Sequence, residues 1–118
     1  MKTITLCAGI GSRLSPLTDN VPKCLVKYND KSILDHQLDV FYNCGLHNNS
    51  VVTGYLQEKI TQKVRKFHNP LYETTNMVYS LSLARELFDG EEDVIVSYGY
   101  IIYQRVVLQK LLNSKVSL

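Results

Sequence analysis

The residues between positions 6 and 25, Leu-Cys-Ala-Gly-Ile-Gly-Ser-Arg-Leu-Ser-Pro-Leu-Thr-Asp-Asn-Val-Pro-Lys-Cys-Leu, hold the side chains best suited to chemistry. Gly9 and Gly11 permit backbone dihedrals closed to other residues and let main chain approach a ligand closely. Successive N–H groups from Ala8 to Arg13 can then converge on one concavity, a nest for phosphate oxygens. Arg13, directly after it, adds a guanidinium whose planar donors match a phosphate bidentately. Lys23, fixed by Pro22, brings a second cation as a point charge. A structural turn would explain the glycines alone, and a solvated surface lysine would explain Lys23 alone. Neither explains an arginine next to the glycines together with a Pro-Lys pair ten residues beyond. Leu14 stands where a dinucleotide fingerprint has its third glycine, and no Gly-Lys-Ser/Thr follows as in a P-loop.

The elements around this loop read as an alternation of strands and helices. Lys2–Cys7 is β-branched and apolar, as a buried first strand should be. Ser32 is a helix N-cap with Asp35 in the first turn. Ile33, Leu34, Gln37, Leu38 and Phe41 continue a helical stripe, and Gly45 sits where a C-terminal cap belongs. Residues 50–53 form a short strand ending at Gly54. Residues 56–67 suit an amphipathic helix through Ile60, Val64 and Phe67. A third helix spans 76–88, with Met77, Leu81, Ala84 and Leu87 on one side and Asn76 as its cap. Residues 93–98 are a buried strand, and 104–112 a last helix. This order implies βαβ units, hence an α/β fold of the Rossmann-like three-layer kind with a mainly parallel sheet. Three parallel strands cover their faces poorly and leave a long edge. The expectation is therefore a truncated sheet, the first half of a domain, with assembly as a homo-oligomer through the exposed edge.

Composition narrows the classes. The 118 residues carry a net charge of +2, 45% hydrophobic and 20% charged residues of both signs, interspersed. That describes one soluble globular domain with no polybasic patch for nucleic acid and no run long enough for a membrane span. The cytoplasm is the expected compartment. Cys7, Cys24 and Cys44 form no CxxC pair, and His36, His47 and His68 have no metal-ligand spacing.

At residues 6–25 the chain resembles the motif L-x-A-G-x-G-S/T-R-L-x-P-L-T-x-x-x-P-K-x-L of the sugar-phosphate nucleotidyltransferase family. Asn76-Met-Val-Tyr-Ser-Leu81 resembles the N-x-x-Y-S-L segment of its phosphocholine cytidylyltransferase-like members. The resemblance covers only the amino-terminal half of such a domain, so residues 1–118 would be its N-terminal, nucleotide-binding part. It implies an enzyme that joins an NTP, CTP by preference, to a phosphorylated small molecule of the phosphocholine or sugar-1-phosphate type, with release of pyrophosphate. An acceptor phosphate oxygen would attack the α-phosphorus, so positioning and charge neutralisation would dominate catalysis. Carried over by motif, Leu6, Ala8, Gly9, Gly11 and Ser12 would hold the base and phosphates. Arg13 would stabilise the departing pyrophosphate, and Lys23 would bind the reacting phosphates. Gly54 and Tyr55 would lie near the nucleotide, although Tyr55 equally suits a half-buried strand end. Asn76 and Ser80, one helical turn apart, would approach the base or sugar, although capping alone accounts for Asn76.

One position departs from the pattern. The family's fourth motif is a strand followed by Gly-Asp, whose Asp binds Mg²⁺, and here that position is Tyr100. A phenol, neutral at pH 7, does not replace a carboxylate on a hard cation. Two expectations follow: a variant or fragment of an active nucleotidyltransferase, or a relative that binds nucleotide without turnover.

Overall fold

The computed structural model describes residues 1–11, 15–90 and 92–99. Strand β1 (Lys2–Cys7) lies inside a four-stranded sheet with β4 (Asn48–Thr53), β5 (Arg65–His68) and β6 (Val94–Tyr98). The order is β5-β4-β1-β6, and every pairing is parallel. Leu6 is in register with Val52 on one side and Tyr98 on the other. The chain steps outward from β1 to β4 to β5, then returns to add β6 on the far side of β1. Strand order therefore reverses between β1 and β6, and in open α/β sheets that crevice receives ligands.

Alternate residues of the strands feed two cores, as a sheet covered on both faces requires. Ile4, Ala8 and Val52 pack with Ala84 and Leu87 on one face. Cys7 and Val51 pack with Cys24, Leu34 and Ile60 on the other, where Phe41 and Leu46 continue the layer toward Ile95. Helix α1 (Ile33–Asn43) supplies Leu34 and Phe41. Its ends form as the sequence indicates. The Ser32 Oγ accepts from the Asp35 N–H at 3.1 Å. Gly45, at φ +80°, donates to the Tyr42 carbonyl, and Leu46 donates to that of Phe41. This is a Schellman motif with its Phe41–Leu46 apolar contact in place.

Three expectations need correction. Residues 56–67 are not a helix. Leu56 adopts left-handed dihedrals, a single 3₁₀ turn covers Gln57–Lys59, and Arg65–His68 becomes the edge strand β5. Val64 and Phe67, three apart, would share a helix face. In the extended chain they separate, Val64 to the Cys7–Val51 core and Phe67 to the Ile4–Val52 core. Burial against both layers outweighs the helical period. Among the described residues the sheet consequently has four parallel strands rather than three. Residues 76–88 are likewise divided, into α2 (Met77–Ser82) and a 3₁₀ turn over Arg85–Phe88. Ala84 leaves helical dihedrals at φ −103°, ψ 18°, which lets Ala84 and Leu87 both reach the sheet while Met77 stays exposed.

An unanticipated ribbon pairs β2 (Lys27–Tyr28) with β3 (Lys31–Ser32), antiparallel, just ahead of α1. Asn29 and Asp30 take φ +52° and +63°, so the two-residue loop has the left-handed dihedrals of a type I′ turn. The expected helix 104–112 lies outside the described residues. Among the described residues no helix is long and apolar enough to cross a membrane.

Candidate nucleotide-binding site

A cavity of about 420 Å³ opens at the carboxyl ends of β1 and β6, in the crevice where strand order reverses. One wall comes from the loop after β1: Ala8, Gly9, Gly11 and, from the 3₁₀ turn Lys23–Leu25, the Lys23 and Cys24 side chains. The segment leading into α2 supplies Tyr72, Thr75, Asn76, Met77 and Ser80, with Tyr72 packed against the core that holds Ala8. Leu6, Cys7, Tyr98 and Gly99 form the floor.

Glycines set how closely these walls approach. Gly11 has φ +67°, and a Cβ there would stand 3.0 Å from the Lys23 Cβ, so this glycine lets Lys23 lie along the loop. Gly9 differs from expectation. Its φ is not positive, and a Cβ on it would meet nothing within 4 Å. Its lack of a side chain keeps cavity open rather than relieving strain. Gly99 donates its N–H to the Leu6 carbonyl at 3.0 Å, and a Cβ there would meet the same oxygen at 2.9 Å.

The other expected residues divide. Leu6, Ala8, Gly9, Gly11, Lys23, Asn76 and Ser80 all line the cavity. Gly54 and Tyr55 do not; they stand behind it. Gly54 is pressed against Ala8, where a Cβ would come within 2.7 Å of the Ala8 carbonyl oxygen. Tyr55 donates its N–H to that oxygen at 3.1 Å and its hydroxyl to the Thr18 carbonyl at 2.8 Å. Thr18 in turn donates to the Gly11 carbonyl at 2.8 Å. Tyr55 thus pins the loop to the end of β4, a supporting position rather than a lining one. Asn76 caps α2 by accepting from the Tyr79 N–H at 3.1 Å, so capping and cavity lining coexist in one residue. Ser12, Arg13 and Tyr100 lie outside the described residues.

Two features of the site carry no strong sequence signal. Buried Asn69 ties the end of the sheet to the segment leading into α2. Its N–H bonds the Thr53 carbonyl at 2.7 Å, and its side-chain amide reaches both Thr75 and Ser80. Its one local signal is its place ahead of Pro70, which suits a turn. Cys7 and Cys24, far apart in sequence, pack together where the floor meets the loop wall. The Cys24 thiol hydrogen-bonded beside it, together with burial, pushes the Cys7 thiol well above its ordinary range. Cys7 therefore stays protonated at neutral pH and is no nucleophile.

Comparison with known proteins identifies the lineage. The family described as nucleotidyl transferase matches residues 2–115. The chain belongs to the nucleotidyl transferase family. It is 37% identical to CTP:phosphoglutamine cytidylyltransferase of Campylobacter jejuni over 98% of this chain and 49% of that one. Against choline-phosphate cytidylyltransferase of Streptococcus pneumoniae identity is 38%, over 73% and 40% of the two chains. The solved structure of CTP:phosphocholine cytidylyltransferase from Streptococcus pneumoniae superposes with a TM-score of 0.75 at 35% identity, covering 83% of this chain and 44% of that chain. The chain thus spans about half the length of the curated relatives it matches. As a member of this family it has the Rossmann-like parallel sheet of its structural neighbours, and the cavity sits where that architecture places ligands.

Proposed function

We propose that this cavity receives an NTP, CTP by preference, and that residues 1–118 are the nucleotide-binding part of an enzyme that transfers the nucleoside monophosphate to a phosphorylated small molecule. The acceptor would be of the phosphocholine or sugar-1-phosphate type. The observation that carries this reading is that two kinds of lining meet in one cavity: the glycine loop of Gly9 and Gly11 with the basic Lys23, and an uncharged segment with Tyr72 and Met77. The first suits phosphates and the second a planar base. The cytidylyltransferases among the relatives support the choice of base and acceptor class.

In the reaction, an acceptor phosphate oxygen bonds to the α-phosphorus as its bond to the β-phosphate oxygen breaks, and pyrophosphate leaves. Lys23 neutralises the reacting phosphates and holds them in line. Arg13, in family register, acts on the departing pyrophosphate. A divalent cation is a separate matter. Among the described residues the cavity lining has no carboxylate, and position 100, where the family has its Asp, is a tyrosine. These residues do not fit a hard cation such as Mg²⁺, and no step is drawn through one.

Pyrophosphate release from CTP, UTP, dTTP and GTP, with phosphocholine or a sugar-1-phosphate and with or without Mg²⁺, tests the proposal. Release from none of these by the chain and by its Tyr100→Asp form would reject it. Tyr100 favours a second reading, a nucleotide-binding relative without turnover. Calorimetric binding of an NTP with no pyrophosphate from the chain as it stands, and restored release in Tyr100→Asp, would assign the impairment to that residue.

A further inference from the structure

Cys7 ends β1 and Cys24 sits in the single 3₁₀ turn Lys23–Leu25, yet the fold brings their thiols into hydrogen-bond contact. Gly99 locates the pair independently. A Cβ built on that glycine would stand 3.0 Å from the Cys7 sulfur and 3.1 Å from the Cys24 Cβ. Both cysteines therefore close on one point, which Gly99 leaves clear. They are buried, at 5% and 1% exposure, but both line the cavity. A small solute in the cavity reaches them; a macromolecule does not. Cys44, the third cysteine, is half-buried at the end of α1 in a different cluster. The reading of the cavity as a nucleotide site uses neither Cys7 nor Cys24.

We propose that Cys7 and Cys24 are an oxidisable pair whose disulfide draws the Lys23 turn toward β1 and weakens anion binding in the cavity. The oxidant is a hydroperoxide. A thiol held protonated is the donor in such a contact, so Cys7 donates and Cys24 is the sulfur left to react first. Oxygen passes from hydrogen peroxide to the Cys24 sulfur as the O–O bond breaks, giving a sulfenic acid and one water. The Cys7 sulfur then attacks that sulfur, the S–O bond breaks, and the hydroxyl leaves with the Cys7 proton as a second water. Two thiols lose two electrons, and the peroxide gains them. Sulfurs in non-bonded contact stand well beyond the roughly 2.05 Å of a disulfide, so closing the bond moves one of them. Cys7 belongs to β1, which is paired with β4 on one side and β6 on the other, whereas Cys24 belongs to a single turn. Cys24 moves, and Lys23 moves with it. Lys23 lies along Gly11, where a Cβ would meet three of its carbons within 3.3 Å, so loop and cation shift together. That consequence rests on the reading of the cavity as a nucleotide site; the bond itself does not.

The test is hydrogen peroxide treatment of the Cys44→Ala chain, which leaves the pair as the only thiols, followed by alkylation in denaturant. The intact mass should fall by two hydrogens, with no alkylation of either cysteine. Digestion without reductant should release a peptide joining Cys7 to Cys24, and dithiothreitol should reverse both changes. In calorimetry the CTP affinity of the oxidised chain should fall about tenfold, the scale of one charged hydrogen bond, and return on reduction. Cys24→Ala, treated alike, should lose no affinity to peroxide, which separates the pair from oxidation of methionine. Both cysteines alkylated after peroxide, or a sulfinic acid at Cys24 in place of the cross-link, overturns the inference. A cross-link with CTP affinity unchanged overturns the movement of Lys23, as does an affinity loss that persists in Cys24→Ala. Should the reduced chain bind no nucleotide, the nucleotide reading falls, and the mass and peptide map still decide the pair.

Discussion

Gly9 and Gly54 sit on either side of Ala8 in the folded chain, yet they lack side chains for different reasons, and substitution separates them. A methyl group on Gly54 would lie 2.7 Å from the Ala8 carbonyl oxygen and 2.8 Å from the Tyr72 Cβ, so backbone must move. Gly54→Ala should cost about 1–3 kcal/mol of stability, as overpacking does, visible as a lower melting temperature. A methyl on Gly9 meets nothing, so Gly9→Ala should leave the melting temperature within about a degree or two of the parent. The same methyl projects beside a cavity-lining backbone, and NTP affinity in calorimetry should fall about tenfold or more. Equal stability losses in both variants would contradict this division. Cys7 offers a second residue-scale test. Its thiol ionises in the unfolded chain near its ordinary value of 9.0 but well above that when folded. Above pH 9 the unfolded state therefore loses a proton that the folded state keeps, and stability falls as pH rises. Below pH 9 the contribution is constant. Thermal melts from pH 7 to 10.5 should show a steeper alkaline decline for the parent than for Cys7→Ala, and parallel curves would refute the assignment.

Elements were legible where one local cause sufficed. The Ser32 cap, the α1 stripe and Gly45 were readable because each is a short-range requirement of the helix. Gly45→Ala tests the last of these. At φ +80° a Cβ costs about 1 kcal/mol even though open space surrounds it, so the melting temperature should fall with nucleotide affinity unchanged. β5 was not legible. Arg65, Lys66 and His68 are exposed and Phe67 is only half-buried, so no alternating face marked a strand against the apparent three- and four-residue spacing. What makes it a strand is its place beside β4, with Arg65 paired to Glu86 at 2.6 Å and stacked over Phe67, contacts made after the chain has folded. The site was legible in the same uneven way. The loop glycines and Lys23 are local signals, whereas Asn69 gains its role from Thr53, Thr75 and Ser80, residues that only the fold gathers around it. The turn at Asn29 and Asp30 was recoverable in principle, since such residues tolerate positive φ, but the flanking strands are only two residues each.

At the scale of the molecule, the two walls of the cavity belong to chain segments more than forty residues apart, Gly9 to Lys23 and Tyr72 to Ser80, joined through the parallel pairing of β1 and β4. Neither wall is a site alone, and a ligand between them couples loop to helix. That predicts where binding energy should register. An NTP at about 100 times its dissociation constant stabilises the folded state by about 2.7 kcal/mol, a rise of about 10 °C or more for a domain this size. In hydrogen exchange, amides of the loop at 8–11 and of α2 should slow together on adding CTP, because each closes against the same ligand. The ribbon of β2 and β3 contributes no residue to the cavity and should show no protection beyond that of global stabilisation. Protection confined to the loop would mean that the nucleotide engages phosphates without the α2 wall. The base would then have no part in recognition here.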